Sequence, residues 1–370
     1  MPDAAADTFE ELRDHIKGHM RALNDIAGIS GFEQGVVSYL RPLFTQVADE
    51  VEVDTFGNLY ATRRGDRPGP TLLLSAHSDE IGCVVKSIRA DGFLRFERVG
   101  FPVPALLVGR KVLVNGRFGV IGCKLVHMQT EQDLSRVAPI EDLYIDVGAE
   151  SAAEVAALGI EIGDQVTYLS ELGEYHNPNR ISGKALDNRI SCAILIETLR
   201  RLPARALAGT VQVLIAAQEE VGLRGATVAM RRLSPDLALV LDTFMAGDTP
   251  DIDPEAMPTR LGAGPVFLLL SGGDPLGHIT HPAVKRLLVA AAERAGIPFQ
   301  RATGLGIATT DAAAIHMSGA GVPTGGIGIA RRYSHSPVCT MDLRDAVQTV
   351  HLLRAVVAEL ACQDVSFAFT

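Results

Sequence analysis

A chain of 370 residues, 47% hydrophobic and 21% charged, is long enough for a large core and too apolar to be disordered or fibrous. Its net charge of −10 and the absence of a basic run argue against a nucleic-acid surface. Apolar stretches such as LALVL and VFLLL are too short to span a bilayer, which argues against a membrane protein.

The N-terminus, MPDAAADTFEELRDH, is acidic and lacks the basic-then-apolar layout of a signal peptide. The cysteines (Cys83, Cys123, Cys192, Cys339 and Cys362) are odd in number and form no C-x-x-C pair. They are expected to be reduced packing residues of a cytoplasmic protein. Residues 8–46 read as two helices, and VEVDTFGNLYATRRG as a hairpin turned at Phe56-Gly57-Asn58. PTLLLSAH is a continuous apolar run, as expected of a strand buried on both faces. After about residue 86 the style changes. SIRADGFLRFERVG, KVLVNGRFGVIGCK and LYIDVGA are short strands between Asp-Gly, Asn-Gly and similar turns, with a short helix at SAAEVAALG.

From about residue 180, long strand–helix alternation resumes, from the helical KALDNRISCAILIETLRRL to the closing helix DLRDAVQTVHLLRAVVAELA. This pattern predicts an α/β fold, a mostly parallel sheet with helices on both faces. Residues 1–86 and 176–370 would form one α/β domain, and 87–175 an inserted β-rich, barrel-like module.

In α/β sheets, sites gather at the carboxyl ends of strands. Here the run TLLLSA is followed by His77-Ser78-Asp79-Glu80, and VQVLIAA by Gln218-Glu219-Glu220. LALVL is followed by Asp242 and TGGIGIA by Arg331, Arg332, Tyr333 and His335, while Asp187 opens a helix. Convergence of these residues on one rim is a metal-site pattern. His77, Asp187, Glu220, Asp242 and His335 offer nitrogen and oxygen donors without thiolate, which suits zinc first, with cobalt or manganese as alternatives. Five ligands are too many for one catalytic zinc and the right number for two divalent ions sharing a bridging carboxylate. Within Glu219-Glu220, one acid would bind metal and the other would stay free as a general base. Asp79, two residues after His77, is placed to orient that ligand.

The pieces SAHSDEIG, ALDNR, QEEVGLRGA, LDTFMAGDTPD, RRYSHSP and GRFGVIGCKLVH, in this order apart from the last, resemble the tetrahedral (TET-type) aminopeptidases. These are co-catalytic two-metal metallopeptidases that include glutamyl and deblocking aminopeptidases and relatives labelled endoglucanases. The resemblance implies that Asp187 bridges the metals, that His77 and Asp242 complete one ion and Glu220 and His335 the other, and that Glu219 is the general base. It further implies that the inserted module pairs subunits, with dimers assembling into a hollow tetrahedral dodecamer that admits short peptides. Two departures are visible. Ser78 stands where the family often has a larger residue, and Ala330-Arg331 where it commonly has Pro-Thr, a change expected at the pocket wall near His335.

The resulting expectation is an aminopeptidase trimming short peptides with a metal-activated water. A deacylase or amidase of small N-acyl compounds could use the same site, but the position of the insertion disfavours it. A non-catalytic assembly protein is disfavoured by the intact ligand set, and a glycosidase would need two carboxylates without histidine ligands. His15 and His19, four apart on a helix, read as surface residues. His278 and His281 flank a loop as rim or bystander residues, and His127 and His176 are expected to be incidental. At Thr310-Asp311, helix capping is favoured over a substrate role.

Overall fold

The structure is a computed structural model, and it describes residues 8–203, 207–273, 276–305 and 309–362. Among the described residues no helix is long and apolar enough to cross a membrane.

The main sheet is built around four strands that lie side by side in parallel: Ala208–Ala216, Arg67–His77, Leu237–Met245 and Thr324–Arg332. Antiparallel strands extend it on both sides. Leu59–Arg64 and Glu50–Val53 close one side, and Cys339–Asp342, Arg180–Gly183 and Gly173–Glu174 the other. The sheet is therefore parallel at its centre and mixed as a whole. Alternation along the central strands divides two cores. Leu72, Leu74, Ala76, Val211, Val213, Leu237 and Leu239 face a large core with the helices Phe9–Asp25, Gln34–Thr45, Leu186–Arg200, Pro282–Arg294 and Leu343–Cys362. Leu73, Leu214, Ala238 and Val240 face a smaller one with Arg224–Ala229 and Ala312–Ile315. Each fully buried aliphatic side chain of this kind stabilises the fold by about 1.5–3 kcal/mol.

The insertion is a closed six-stranded barrel in the order Gly82–Ile88, Leu94–Val99, Tyr144–Asp146, Arg117–Gly122, Lys111–Val114 and Gln165–Tyr168. Its core is apolar, with Val85, Leu94, Phe96, Val112, Ile121, Ile145 and Val166 among its members. The barrel strands run from Gly82 to Tyr168, so the expected limits of 87 and 175 both shift toward the N-terminus. The first barrel strand begins at Gly82, because only the four residues 78–81 separate it from the strand end at His77. Gly173–Glu174 already belongs to the main sheet, paired with Arg180–Gly183.

The closing helix and the two N-terminal helices fall where the apolar spacing puts them. The helix at 184–202 departs locally. Ala185 has φ +54°, and Asp187 (ψ 107°) and Asn188 (φ −123°, ψ 33°) lie outside helical angles, so the regular turns start after them. This break leaves the Asp187 carboxylate on the rim while Leu186 and Ile190 stay in the core.

Candidate metal centre

The carboxyl ends of the four central strands define one rim, and the predicted residues meet there. His77 ends Arg67–His77, and Glu219 and Glu220 follow Ala208–Ala216. Asp242 lies in the carboxyl half of Leu237–Met245, and His335 follows Thr324–Arg332. His77 Nε2 is 3.6 Å from Asp187 Oδ1, 3.7 Å from Asp242 Oδ1 and 3.8 Å from Glu219 Oε2. His335 Nε2 is 3.7 Å from Asp187 Oδ2 and 3.6 Å from Glu220 Oε2. Asp187 thus turns one oxygen to each histidine. Three groups of donors have all their ligand atoms within 4.8 Å of one another: His77–Asp187–Asp242, Asp187–Glu220–His335, and His77–Glu219–Glu220. The last means that Glu219, like Glu220, is within reach of a shared ion.

The site is held together by a carboxylate that belongs to none of the three donor groups. Asp79 is fully buried. Its Oδ1 accepts the amide of Glu219 (3.0 Å) and lies 3.3 Å from His77 Nδ1. Its Oδ2 accepts the amide of Glu220 (3.1 Å) and the hydroxyl of Ser30 (2.6 Å). The turn carrying both glutamates needs Gln218 at φ +55°, and the Gln218 amide donates to Glu33 Oε1 at 3.0 Å. His335 (φ +53°) and Tyr333 (φ +56°) are two more non-glycine residues in the left-handed region, a conformation that gathers at functional sites. Thr243 Oγ1 donates to Asp187 Oδ1 at 2.9 Å, and Asn188 Nδ2 donates to the Leu241 carbonyl at 2.9 Å.

Electrostatics make the rim short of positive charge. Burial pushes Glu219 well above the usual carboxylate range; His77 opposes this, and Asp242, Asp311 and Glu220 add to it. Glu220 is pushed up to about 8 by burial, against the pull of His77 and with Asp79 and Asp242 repelling it. For His77, burial acts to lower the proton affinity, yet Glu219, Asp242 and Asp79 outweigh it and raise it well above the ordinary value. His335 is drawn down to about 4 by burial and by the charge of Arg331, which leaves a neutral imidazole at neutral pH. Nitrogen and oxygen donors packed this closely, with surplus negative charge, fit one or two divalent cations.

Two contributors, the Phe101 carbonyl and Ser30, had no signature in the sequence, and two that the sequence singled out, Asp311 and Arg331, take places it did not specify. The Phe101 carbonyl, from the inserted barrel, lies 3.3 Å from His335 Nδ1. Ser30 anchors Asp79. Asp311 is buried, and neither carboxylate oxygen has a hydrogen-bond partner among the described residues. The expected side-chain cap is absent from Asp311, since the Ala312 amide instead approaches Thr310 Oγ1 at 3.3 Å. Finally, Arg331 Nη1 rests against Asp187 Oδ2.

The remaining histidines stand apart. His19 Nε2 lies 2.9 Å from Glu197 Oε1, and His15 Nδ1 lies 3.6 Å from Glu197 Oε2, in an ion-pair cluster with Arg200 and Arg201. His278 is buried against the Thr324 carbonyl, and His281 caps a helix by accepting the Ala283 amide. Cys83, Cys192 and Cys339 are buried free thiols and Cys123 is half-buried, while the side chain of Cys362 lies outside the described residues.

The family model described as M42 glutamyl aminopeptidase matches residues 57–352. A glutamyl aminopeptidase from Lactococcus lactis subsp. cremoris is 33% identical, over 96% of this chain and 98% of its own. The aminopeptidase APDkam598 from the archaeon Desulfurococcus kamchatkensis superposes with a TM-score of 0.89 at 34% identity, covering 96% of this chain and 98% of that one. The TET1 peptidase of Pyrococcus horikoshii, which can assemble into a tetrahedron or a large octahedral shell, gives 0.81 at 31% identity, with 92% and 99% covered. Both the sequence and the fold are thus shared along nearly the whole chain, and the chain belongs to the M42 glutamyl aminopeptidase family of hydrolases.

Proposed function

We propose that this aminopeptidase is a two-metal exopeptidase that removes N-terminal residues from short peptides. The observation that carries the reading is Asp187, whose two oxygens face two different histidines at 3.6 and 3.7 Å, each backed by a further carboxylate. His77 and Asp242 would hold one divalent ion, Glu220 and His335 the other, and Asp187 would be shared. Bound ions of this kind lower the pKa of water and polarise a carbonyl oxygen. Zinc is the metal of choice for this donor set, with cobalt or manganese able to replace it.

The chain's own part follows from placement. Glu219 is the acid of the pair that is not needed as a ligand. It takes the proton of the attacking water and returns it to the departing amine. Asp79 positions the His77 ring through Nδ1 and the backbone of both glutamates through its amide hydrogen bonds. Asp311, a buried carboxylate without a hydrogen-bond partner among the described residues, supplies the counter-charge for the substrate's free α-ammonium, which makes the enzyme an exopeptidase.

The barrel is proposed to pair subunits. Phe118, Leu125, Val126, Met128, Leu134 and Val137 leave more than half of their surface in solvent, an apolar patch suited to a second copy of the chain. The free cysteines favour a reducing, cytoplasmic setting. The deciding experiment combines metal content with hydrolysis of an aminoacyl-anilide panel before and after chelation. Chelation should abolish turnover and re-addition restore it, and N-acetylated substrates should resist. Turnover of N-acyl compounds in place of free aminoacyl ones would sink the exopeptidase reading.

A further inference from the structure

Among the described residues two arginines are buried, and they are treated in opposite ways. Arg189 is saturated. Its guanidinium donates to the carbonyls of Leu23 and Ile26 (2.6 Å each), Ser78 (3.2 Å) and Gly28 (3.2 Å), and to Glu80 (3.2 Å). Arg331 is also buried, at 6% exposure, yet its Nε and Nη1 have no hydrogen-bond acceptor among the described residues. Nη1 is in ion-pair contact with Asp187 Oδ2 without hydrogen-bond geometry. A desolvated charge needs a counter-ion, and the carboxylate it touches is the one shared between the two donor groups.

We propose that the Arg331 guanidinium competes with a divalent ion for Asp187 Oδ2, so that the two halves of the centre bind metal unequally. The inference rests on the two-metal reading above. The oxygens of Asp187 are already distinct. Oδ1 faces His77 and accepts the Thr243 hydroxyl, on the side of Asp242. Oδ2 faces His335 and Arg331, on the side of Glu220. The first half-site therefore keeps a free carboxylate charge. In the second, a fixed cation partly neutralises that charge and repels an incoming ion at close range in a medium of low polarity. His77, Asp187 and Asp242 then fill first and tightly. The site of Glu220 and His335 fills weakly, after the guanidinium yields Oδ2. Arg331 acts through Asp187, as a positioning residue.

The test is metal binding by the full chain, stripped with chelator and titrated with zinc against a chromogenic chelator, with elemental analysis after gel filtration. Wild type should show two classes of site at least about 10-fold apart and retain one ion through the column. Arg331→Met removes the charge and keeps the bulk. Its weak class should tighten by at least about 10-fold, and two ions should be retained. Arg331→Lys, which keeps the charge, should stay close to wild type. This separates charge from packing, and Arg331→Thr serves if the methionine variant fails to fold by circular dichroism. Equal affinities in wild type, or an unchanged weak class in the neutral variants, overturn the role of Arg331 and leave the two-metal reading standing. No zinc bound by any form overturns the two-metal reading itself.

Discussion

The rim of the main sheet and the inserted barrel break the usual rule of burial in opposite senses. At the rim, His77, Asp79, Glu80, Glu219, Asp242 and Asp311 are all buried. In the barrel, the only polar residue of the described strands that is buried is Thr167, while large apolar side chains from Phe101 to Val137 stand in solvent. The first region encloses charge that needs a cation, and the second displays apolar surface that needs a cover. Each looks incomplete in isolation, and each is short of a different kind of partner. Unusual burial in either direction marks where a chain expects company.

The comparison can be broken most severely at the rim. Asp187→Ala should abolish detectable peptide hydrolysis and remove at least one ion per chain by elemental analysis; two tightly held ions would contradict the bridging role. Glu219→Gln should lower kcat by about 10²–10⁴-fold while metal content holds. Loss of metal from this variant but not from Glu220→Gln would reverse the two assignments. Between the regions lies Glu80, which accepts from Thr167 of the barrel (3.1 Å), Lys184 (2.7 Å) and Arg189 (3.2 Å). Glu80→Ala leaves two buried cations without their carboxylate and should cost about 3–5 kcal/mol in denaturant unfolding.

A smaller effect is expected from Glu197, far from the rim. Burial would raise its pKa, but His19 and Arg201 outweigh burial and bring it down to about 2, below the ordinary 4.5. A depressed carboxyl stabilises the fold above pH 4.5 and loses that contribution as pH falls toward 2. Glu197→Gln should therefore melt below wild type at neutral pH, by up to about 3 kcal/mol, with the gap narrowing across that acid window. The mildest change in stability should come from the barrel surface. Val126→Glu combined with Met128→Glu should shift folding by no more than about 0.5 kcal/mol. It should nevertheless lower the particle mass in light scattering, and an unchanged mass would exclude this patch as the pairing surface.

Much of the rim was legible because each of its strands announces itself as an apolar run, and the first polar residue after such a run lands at the same edge. His77 follows that grammar directly, Glu219-Glu220 come just after the first polar residue Gln218 and His335 four residues after Arg331, and the Asp-Gly and Asn-Gly turns between 86 and 120 signalled the barrel. What the sequence hid were contacts that leave no side-chain signature. The Phe101 carbonyl beside His335 is backbone, from a module assigned to a separate task. Ser30 sits in a loop whose course depends on the whole domain. The pairing of Arg331 with Asp187 joins residues 144 positions apart, and only the assembled sheet brings them together. The barrel boundary slipped because only residues 78–81 separate the strand end at His77 from Gly82–Ile88, too short a span for the change of style to register there.

Asp79 has a consequence for how precisely this rim must be built. One carboxylate fixes the His77 imidazole and the amides of Glu219 and Glu220, and it is itself pinned by Ser30. Positional errors in these groups are then shared instead of independent. If the end of the Arg67–His77 strand drifts, the imidazole and both glutamates drift with it, and their mutual spacing survives. The arrangement behaves like a jig in machining, where parts cut from one reference surface fit each other even when the surface is displaced.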